Sequence, residues 1–155
     1  MGLKDEIDRL IATERERLQE RDMNNRQFDE LLNKRFLPLR VVLEELIRSV
    51  DPTYLRVEFG AEQATIEIGR FTDDCSETNV RWKIEPFYTP NLEAERGEGL
   101  FETQPGFSVK ELITGSPLCE PLERTYTVAT EADFMERLLN RLAENIADYQ
   151  HLKER

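Results

Sequence analysis

The spacing of apolar residues changes twice along the chain, and this change constrains the fold more than any other feature of the sequence. Apolar residues recur at every third or fourth position up to residue 50, and at every second position from residue 55 to residue 85. Helical spacing returns after residue 130. A repeat of 3.6 residues is typical of an amphipathic helix, and a repeat of two is typical of a strand with one buried face. The sequence therefore predicts helices, then strands, then a helix.

Residues 1–50 predict helical structure with two interruptions. The first helix covers residues 3–21, in which one stripe holds the apolar residues Leu3, Ile7, Leu10, Ile11 and Leu18. Residues 22–25 break the apolar period and contain two asparagines, so we expect a new helix to start there. Pro38 lacks an amide hydrogen and disfavours helix at the preceding residue, so we expect a kink or restart at that point. Residues 39–50 carry the cleanest apolar face and are predicted to pack most deeply on the sheet.

The alternating stretches after residue 50 predict strands. The stretches from Leu55 to Phe59 and from Ala64 to Ile68 are separated by a short turn, which indicates a β-hairpin. A third strand includes Trp82, which shares the inward parity of its apolar neighbours and is expected in the core. We expect this strand to stop at Pro86.

The following segment is less regular. Residues 86–122 are rich in proline and glycine, which predicts short strand pieces between loops. A last strand is expected from Thr125 to Val128. Thr130 then offers a cap for a C-terminal helix within residues 131–155.

These elements together predict an α+β fold. Strands joined by short polar turns favour antiparallel pairing, because parallel pairs need long crossover connections. We expect an antiparallel sheet of about five strands, with the N-terminal helices and the C-terminal helix packed on one face. Residues 1–155 are predicted to form a single domain, in which residues 1–50 are helical, 51–130 are mainly sheet and loops, and 131–155 form the C-terminal helix.

The acidic residues are unevenly distributed. The chain has 21 basic and 32 acidic residues, a net charge of −11, and residues 51–130 contribute −8 of it. Such a surface repels phosphate groups, so we expect no binding to nucleic acid or to membranes. Cys75 and Cys119 are the two cysteines, and no apolar leader precedes the first helix. These features favour a cytoplasmic protein with reduced thiols.

Histidine and cysteine, which commonly serve as catalytic residues or metal ligands, are few in this chain. The one histidine, His151, lies near the end of the predicted C-terminal helix. Two cysteines and one histidine cannot complete a tetrahedral zinc site within one chain. Asp73, Asp74 and Glu77 surround Cys75 in a segment that we interpret as a polar loop between strands. We therefore predict no catalytic residue, no metal site and no cofactor.

The sequence leaves three functional hypotheses open. The first is a non-enzymatic, acidic protein-interaction domain, such as an adaptor, chaperone or inhibitor. It would bind a protein partner and form a homo-oligomer, in the simplest case a homodimer. Its contacts would come from the apolar stripe of residues 3–21, which could instead fold back on the sheet, and from Phe87 or Tyr88. A regular strand would expose one of these two adjacent aromatic residues. The second hypothesis is a small-molecule binding module with an apolar pocket between sheet and helices. The third is a metal-dependent enzyme that uses Asp73, Asp74 and Glu77.

Overall fold

The computed structural model describes residues 2–95, 98–114 and 120–154, which form two helices and five strands. The elements are α1 (Leu3–Ser49), β1 (Leu55–Phe59), β2 (Ala64–Phe71), β3 (Ser76–Pro90), β4 (Phe101–Ile113), β5 (Leu122–Val128) and α2 (Glu131–Glu154). The predicted α+β fold is confirmed.

The five strands form one antiparallel sheet, in which each strand pairs with its neighbours in sequence. The predicted first hairpin is confirmed, with Leu55 opposite Ile68 and Phe59 opposite Ala64. Both helices pack on the same face of this sheet. Their buried side chains form a single core cluster with the inward residues of the strands, and Trp82, with 1% of its surface exposed, belongs to this cluster.

The helix α1 is continuous over 47 residues, so the predicted break at residues 22–25 and the predicted restart at Pro38 are wrong. A kink at Pro38 stays a prediction. Asn25 does not cap a new helix, because its Oδ1 accepts a hydrogen bond from the backbone N–H of Leu100 at 3.2 Å. Pro38 lies between Phe36 and Leu39, which are both fully buried. Tertiary packing on both sides of the proline thus outweighs its local preference against a helix.

The strand β3 does not stop at Pro86 but continues to Pro90, and β4 is one long strand rather than short pieces. Pro86 pairs with Phe107 and Tyr88 pairs with Thr103, so three residues of β4 bulge opposite a single residue of β3. The bulge contains Pro105, where no ladder hydrogen bond is required from its nitrogen. For this reason the prolines do not interrupt the strands.

The end of the β3–β4 hairpin extends beyond the other strands and contacts α1. The ring of Phe28 on α1 lies 5.6 Å from that of Tyr88 and 5.8 Å from that of Phe101, between centroids. At the bulge, Arg35 Nη2 donates a hydrogen bond to the carbonyl oxygen of Gly106 at 3.2 Å. The hairpin therefore holds the middle of α1, while the core holds its C-terminal part.

Candidate functional site

The first part of α1 is left uncovered by the fold. Residues 2–20 are all exposed. A helix advances 100° per residue, so the predicted interaction residues lie on the same face of α1 as its core residues. The predicted interaction residues are Leu3, Ile7, Leu10, Ile11 and Leu18. Their exposed fractions range from 42% for Leu18 to 78% for Leu3. The core residues of α1 are Leu32, Phe36, Leu39, Leu43 and Leu46. The exposed stripe is thus a continuation of the buried one.

Leu18 differs from the other four residues because the loop between β3 and β4 reaches α1 at this point. Leu18 and Arg21 line a small cavity of about 210 Å³ together with Ala94 and Leu100. The uncovered residues before this contact are Leu3, Ile7, Leu10 and Ile11, which we call the tip stripe.

The structure corrects the expectation for Phe87 and Tyr88. Both side chains are half-buried, so the expectation that one of them is exposed is wrong. The cause is the bulge, which shifts the register between Pro86 and Tyr88. Tyr88 turns toward α1 and packs against Phe28 and Phe101. An interaction role for Phe87 and Tyr88 stays a prediction.

A buried carboxylate on the inner face of the sheet was missed by the sequence predictions. Glu111 on β4 is 3% exposed, and its carboxylate accepts hydrogen bonds from Trp82 Nε1 at 2.7 Å, Arg124 Nε at 2.6 Å and the Tyr126 hydroxyl at 3.3 Å. Side chains alternate between the two faces of a strand, so Glu111 lies on the same inward face as Phe107 and Val109. This alternation was the sequence signal that could have predicted its burial. The signal was obscured because prolines and glycines predicted broken strands in this region.

The hydrogen bonds keep Glu111 ionised. Burial by itself would raise the pKa of the Glu111 carboxyl, but the hydrogen bonds from Trp82 and Arg124, the charge of Arg124 and the hydroxyl of Tyr126 outweigh it and lower this pKa. The same pairing raises the pKa of Arg124. Burial is the main reason why the pKa of Tyr126 is raised, and the charge of Glu111 adds to it. The ion pair of Glu111 and Arg124, with the neutral Tyr126 hydroxyl as a further donor, therefore occupies this part of the inner face of the sheet.

A groove borders this ion pair between α2 and the strands β3 to β5. We call it the arginine groove; its volume is about 340 Å³, and its lining residues are Trp82, Glu111, Arg124, Arg137, Asn140, Arg141 and Glu144. The guanidinium carbons of Arg124 and Arg137 lie 5.4 Å and 4.6 Å from the centroid of the Tyr126 ring. Three arginines and two glutamates line the groove, whereas the whole chain carries a net charge of −11.

A second polar cluster fixes the other end of α2 to the sheet. The Asn145 side chain is 8% exposed; its Oδ1 accepts a hydrogen bond from Asn79 Nδ2 at 2.5 Å, and its Nδ2 donates one to the carbonyl oxygen of Gly69 at 3.1 Å. Asn79 Nδ2 also donates to the Tyr149 hydroxyl at 3.1 Å. The polar groups of this cluster satisfy one another, which is typical of a structural contact.

The residues considered for enzyme chemistry lie at exposed positions. Asp73, Asp74 and Cys75 belong to the turn between β2 and β3, which is closed by a 2.7 Å hydrogen bond from the Thr72 amide to the Cys75 carbonyl oxygen. His151 is exposed in the last turn of α2. Among the described residues, no three or more His, Cys, Asp or Glu side chains are arranged to hold a metal ion. Cys119 lies outside the described residues.

Comparison with other proteins gives no relative: no family model, no curated protein and no solved structure matches the chain. Within the described residues, neither helix combines the length and the apolar character needed to cross a membrane.

Proposed function

We propose that this chain is a non-enzymatic, acidic protein-interaction domain that pairs with a second copy of itself through the tip stripe. The observation that carries the proposal is the exposure of Leu3, Ile7, Leu10 and Ile11 on a helix whose later turns use the same face for the core. Apolar residues at positions i, i+4, i+7 and i+8 are typical of a helix that binds along a partner surface. Covering each such side chain completely would contribute about 1.5–3 kcal/mol.

The distribution of charge supports a second copy as the partner. Residues 1–21 contain five basic and six acidic residues, a net charge of −1, whereas the remaining residues contain 16 and 26, a net charge of −10. Two copies that meet through their tips bring nearly neutral segments together and keep the acidic parts apart. Contact through residues 51–130, which contain 7 basic and 15 acidic residues, would instead bring the most acidic segments of the two copies together.

The size of the stripe sets the expected strength of the pairing. A standard protein interface involves roughly 20–30 residues on each side. The tip stripe offers four large apolar residues per copy, with Leu18 at its border. We therefore expect weak pairing that depends on protein concentration.

The test compares two variants of the full chain by sedimentation velocity over a range of concentrations. Ile7→Glu places a charge in the tip stripe, whereas Ala12→Glu places the same charge about 140° away around the helix. The unmodified chain and Ala12→Glu should both show a mass that rises above the monomer value of 18.2 kDa with concentration. Ile7→Glu should stay monomeric, while its melting curve should match that of Ala12→Glu. A mass of 18.2 kDa for the unmodified chain at every concentration would contradict the proposal.

The proposal places the protein in the cytoplasm and assigns it no cofactor. The low cysteine content supports this location, since secreted domains of small size commonly depend on disulfides. The exposed positions of His151 and Cys75 on separate elements support a role without catalysis.

A further inference from the structure

We propose that the arginine groove binds an oxyanion, the carboxylate or phosphate group of a small molecule, between the guanidinium groups of Arg124 and Arg137. This inference is independent of self-association, because the groove lies beside α2 and the tip stripe lies on α1.

The two guanidinium groups are held near each other by one aromatic ring. Their central carbons lie 5.4 Å and 4.6 Å from the centroid of Tyr126, so they cannot be more than 10 Å apart, the sum of these distances. Arg137 also interacts with the Tyr126 hydroxyl through one hydrogen bond, and the other N–H groups of its guanidinium remain available for an acceptor. The upper bound on the separation permits the two arginines to share one oxyanion through bidentate hydrogen bonds.

Arg124 is oriented by the buried ion pair. It donates through Nε to Glu111 at 2.6 Å, and its side chain is still 53% exposed. Among the described residues this is the hydrogen bond that its guanidinium makes, so the two terminal nitrogens remain for a ligand. Glu111 is thus a positioning residue, because its carboxylate is bonded to Trp82 and Arg124 and acts on the ligand through Arg124.

Arg137 supplies the charge that Glu111 does not neutralise. No carboxylate of a described residue forms an ion pair with Arg137, and the pair between Arg141 and Glu144 is long, at 3.9 Å. Asp133 and Glu136 flank Arg137 on α2 and reduce the local positive charge. An anion would therefore be bound mainly by the guanidinium N–H donors of Arg124 and Arg137 rather than by a net charge of the groove.

Trp82 provides a direct reporter of binding. It is the one tryptophan of the chain, it lines the groove, and its indole N–H donates to Glu111 at 2.7 Å. Its indole resonance can be followed by NMR while sodium phosphate or sodium acetate is added at constant ionic strength. We expect a saturable shift with at least one of these two salts, and the more effective salt identifies the ligand as a phosphate or a carboxylate.

Three variants test the geometry. Arg137→Gln should weaken binding roughly 10- to 100-fold, as expected for the loss of hydrogen bonds from a charged donor. Arg137→Lys keeps the charge but loses the planar fork, so it should also bind more weakly than the unmodified chain. Arg81→Gln is the matched control, because Arg81 pairs with Glu67 on the opposite face of the sheet. Arg81→Gln should bind as the unmodified chain does.

Two results would overturn the proposal. One is an indole shift that increases linearly with both salts, or that sodium chloride reproduces at the same ionic strength. The other is unchanged affinity in Arg137→Gln while its amide spectrum shows an intact fold.

Discussion

Glu111 shows how one charged side chain can be held within an apolar layer. Its 3% exposed carboxylate receives three hydrogen bonds, one of them from the 1% exposed Trp82. Without Glu111 the indole N–H would be buried and unpaired, whereas Arg124 could still be hydrated through its exposed side. The cost of removing Glu111 therefore arises mainly at Trp82.

We expect Glu111→Leu to lower the free energy of unfolding by about 1–3 kcal/mol, the typical cost of an unsatisfied buried donor. Glu67→Leu on the opposite face removes an ion pair with Arg81, whose side chain is 50% exposed, and should cost less than about 1 kcal/mol. Urea unfolding of both variants measures the difference. An equal cost for the two would show that the Trp82 hydrogen bond does not contribute to stability.

The pKa of Glu111 also predicts how stability depends on pH. Its folded pKa is lowered, so its contribution is complete above the unfolded pKa and is lost as the pH falls through the folded value. The loss should begin at roughly pH 5 and continue downward, since an unfolded Glu titrates near pH 4.3. Urea unfolding at pH 6, 5, 4 and 3 should show a smaller decline for Glu111→Gln than for the unmodified chain. Parallel declines would mean that Glu111 does not titrate differently in the two states.

Gly106 is the residue whose backbone the bulge constrains most. Its φ is 85°, and a Cβ atom there would lie 2.2 Å from the carbonyl oxygen of Val128. Gly106→Ala should therefore lower the free energy of unfolding by about 1–3 kcal/mol or more, through strain and displacement of β5. Gly2→Ala is the control, because a Cβ at Gly2 meets no atom within 4 Å. Thermal unfolding measures both variants, and equal midpoints for the two would contradict this prediction.

At the scale of elements, α1 has three successive environments along one face. Leu3 to Ile11 are exposed, Phe28 meets the β3–β4 hairpin, and Leu32 to Leu46 lie in the core. The apolar stripe connects all three because the helix is continuous. The same element thus supplies both the proposed contact and most of the helical packing.

The core part of α1 gives a direct test of this division. Leu43 is fully buried and Val41, two residues away, is 55% exposed. Leu43→Ala should lower the free energy of unfolding by about 2–5 kcal/mol, because it leaves a cavity in the core. Val41→Ala should change it by less than about 0.5 kcal/mol. Chemical denaturation measures both, and a small effect of Leu43→Ala would mean that this face is not packed as described.

The sequence predicted elements well where one physical signal dominated. Alternation alone identified β1 and β2, and the predicted cap at Thr130 is confirmed by a 3.2 Å hydrogen bond from the Asp133 amide to its hydroxyl. The errors lie where local and tertiary preferences oppose each other. Pro38 and Asn25 disfavour a continuous helix locally, but the core and the hairpin contact at Leu100 stabilise it.

The two candidate sites also differ in how far the sequence could predict them. The exposed stripe of α1 could be read from helical spacing, since it depends on one element. The arginine groove could not, because Arg124 and Arg137 come together only when α2 packs beside β5 around Tyr126. Bulges such as the one opposite Phe87 depend on the pairing of two strands and have no signature in either strand alone.

At the scale of the whole molecule, the net charge of −11 acts in opposite directions on the two proposed interactions. Self-association brings two acidic chains together, so salt should strengthen it by screening their repulsion. Anion binding in the arginine groove depends on local attraction, so salt should weaken it.

This contrast predicts a result that can be measured on the unmodified chain. Raising sodium chloride from 50 to 500 mM should increase the weight-average mass in sedimentation velocity at a fixed protein concentration. A decrease in mass would indicate that ion pairs, rather than the apolar tip stripe, hold the copies together.

The order of strands in the sheet has a consequence for how the chain folds. Each strand pairs with the one before it, so the sheet can form by a series of small loop closures with low entropic cost. The helices are different, because Asn145 of α2 bonds to Gly69, which lies 76 residues earlier, and Asn25 of α1 bonds to Leu100, which lies 75 residues later. We therefore expect docking of the helices on the sheet to be the slow step of folding. Trp82 fluorescence should change in that step, when its indole ring packs edge-on against Phe134 of α2 at 5.9 Å between centroids.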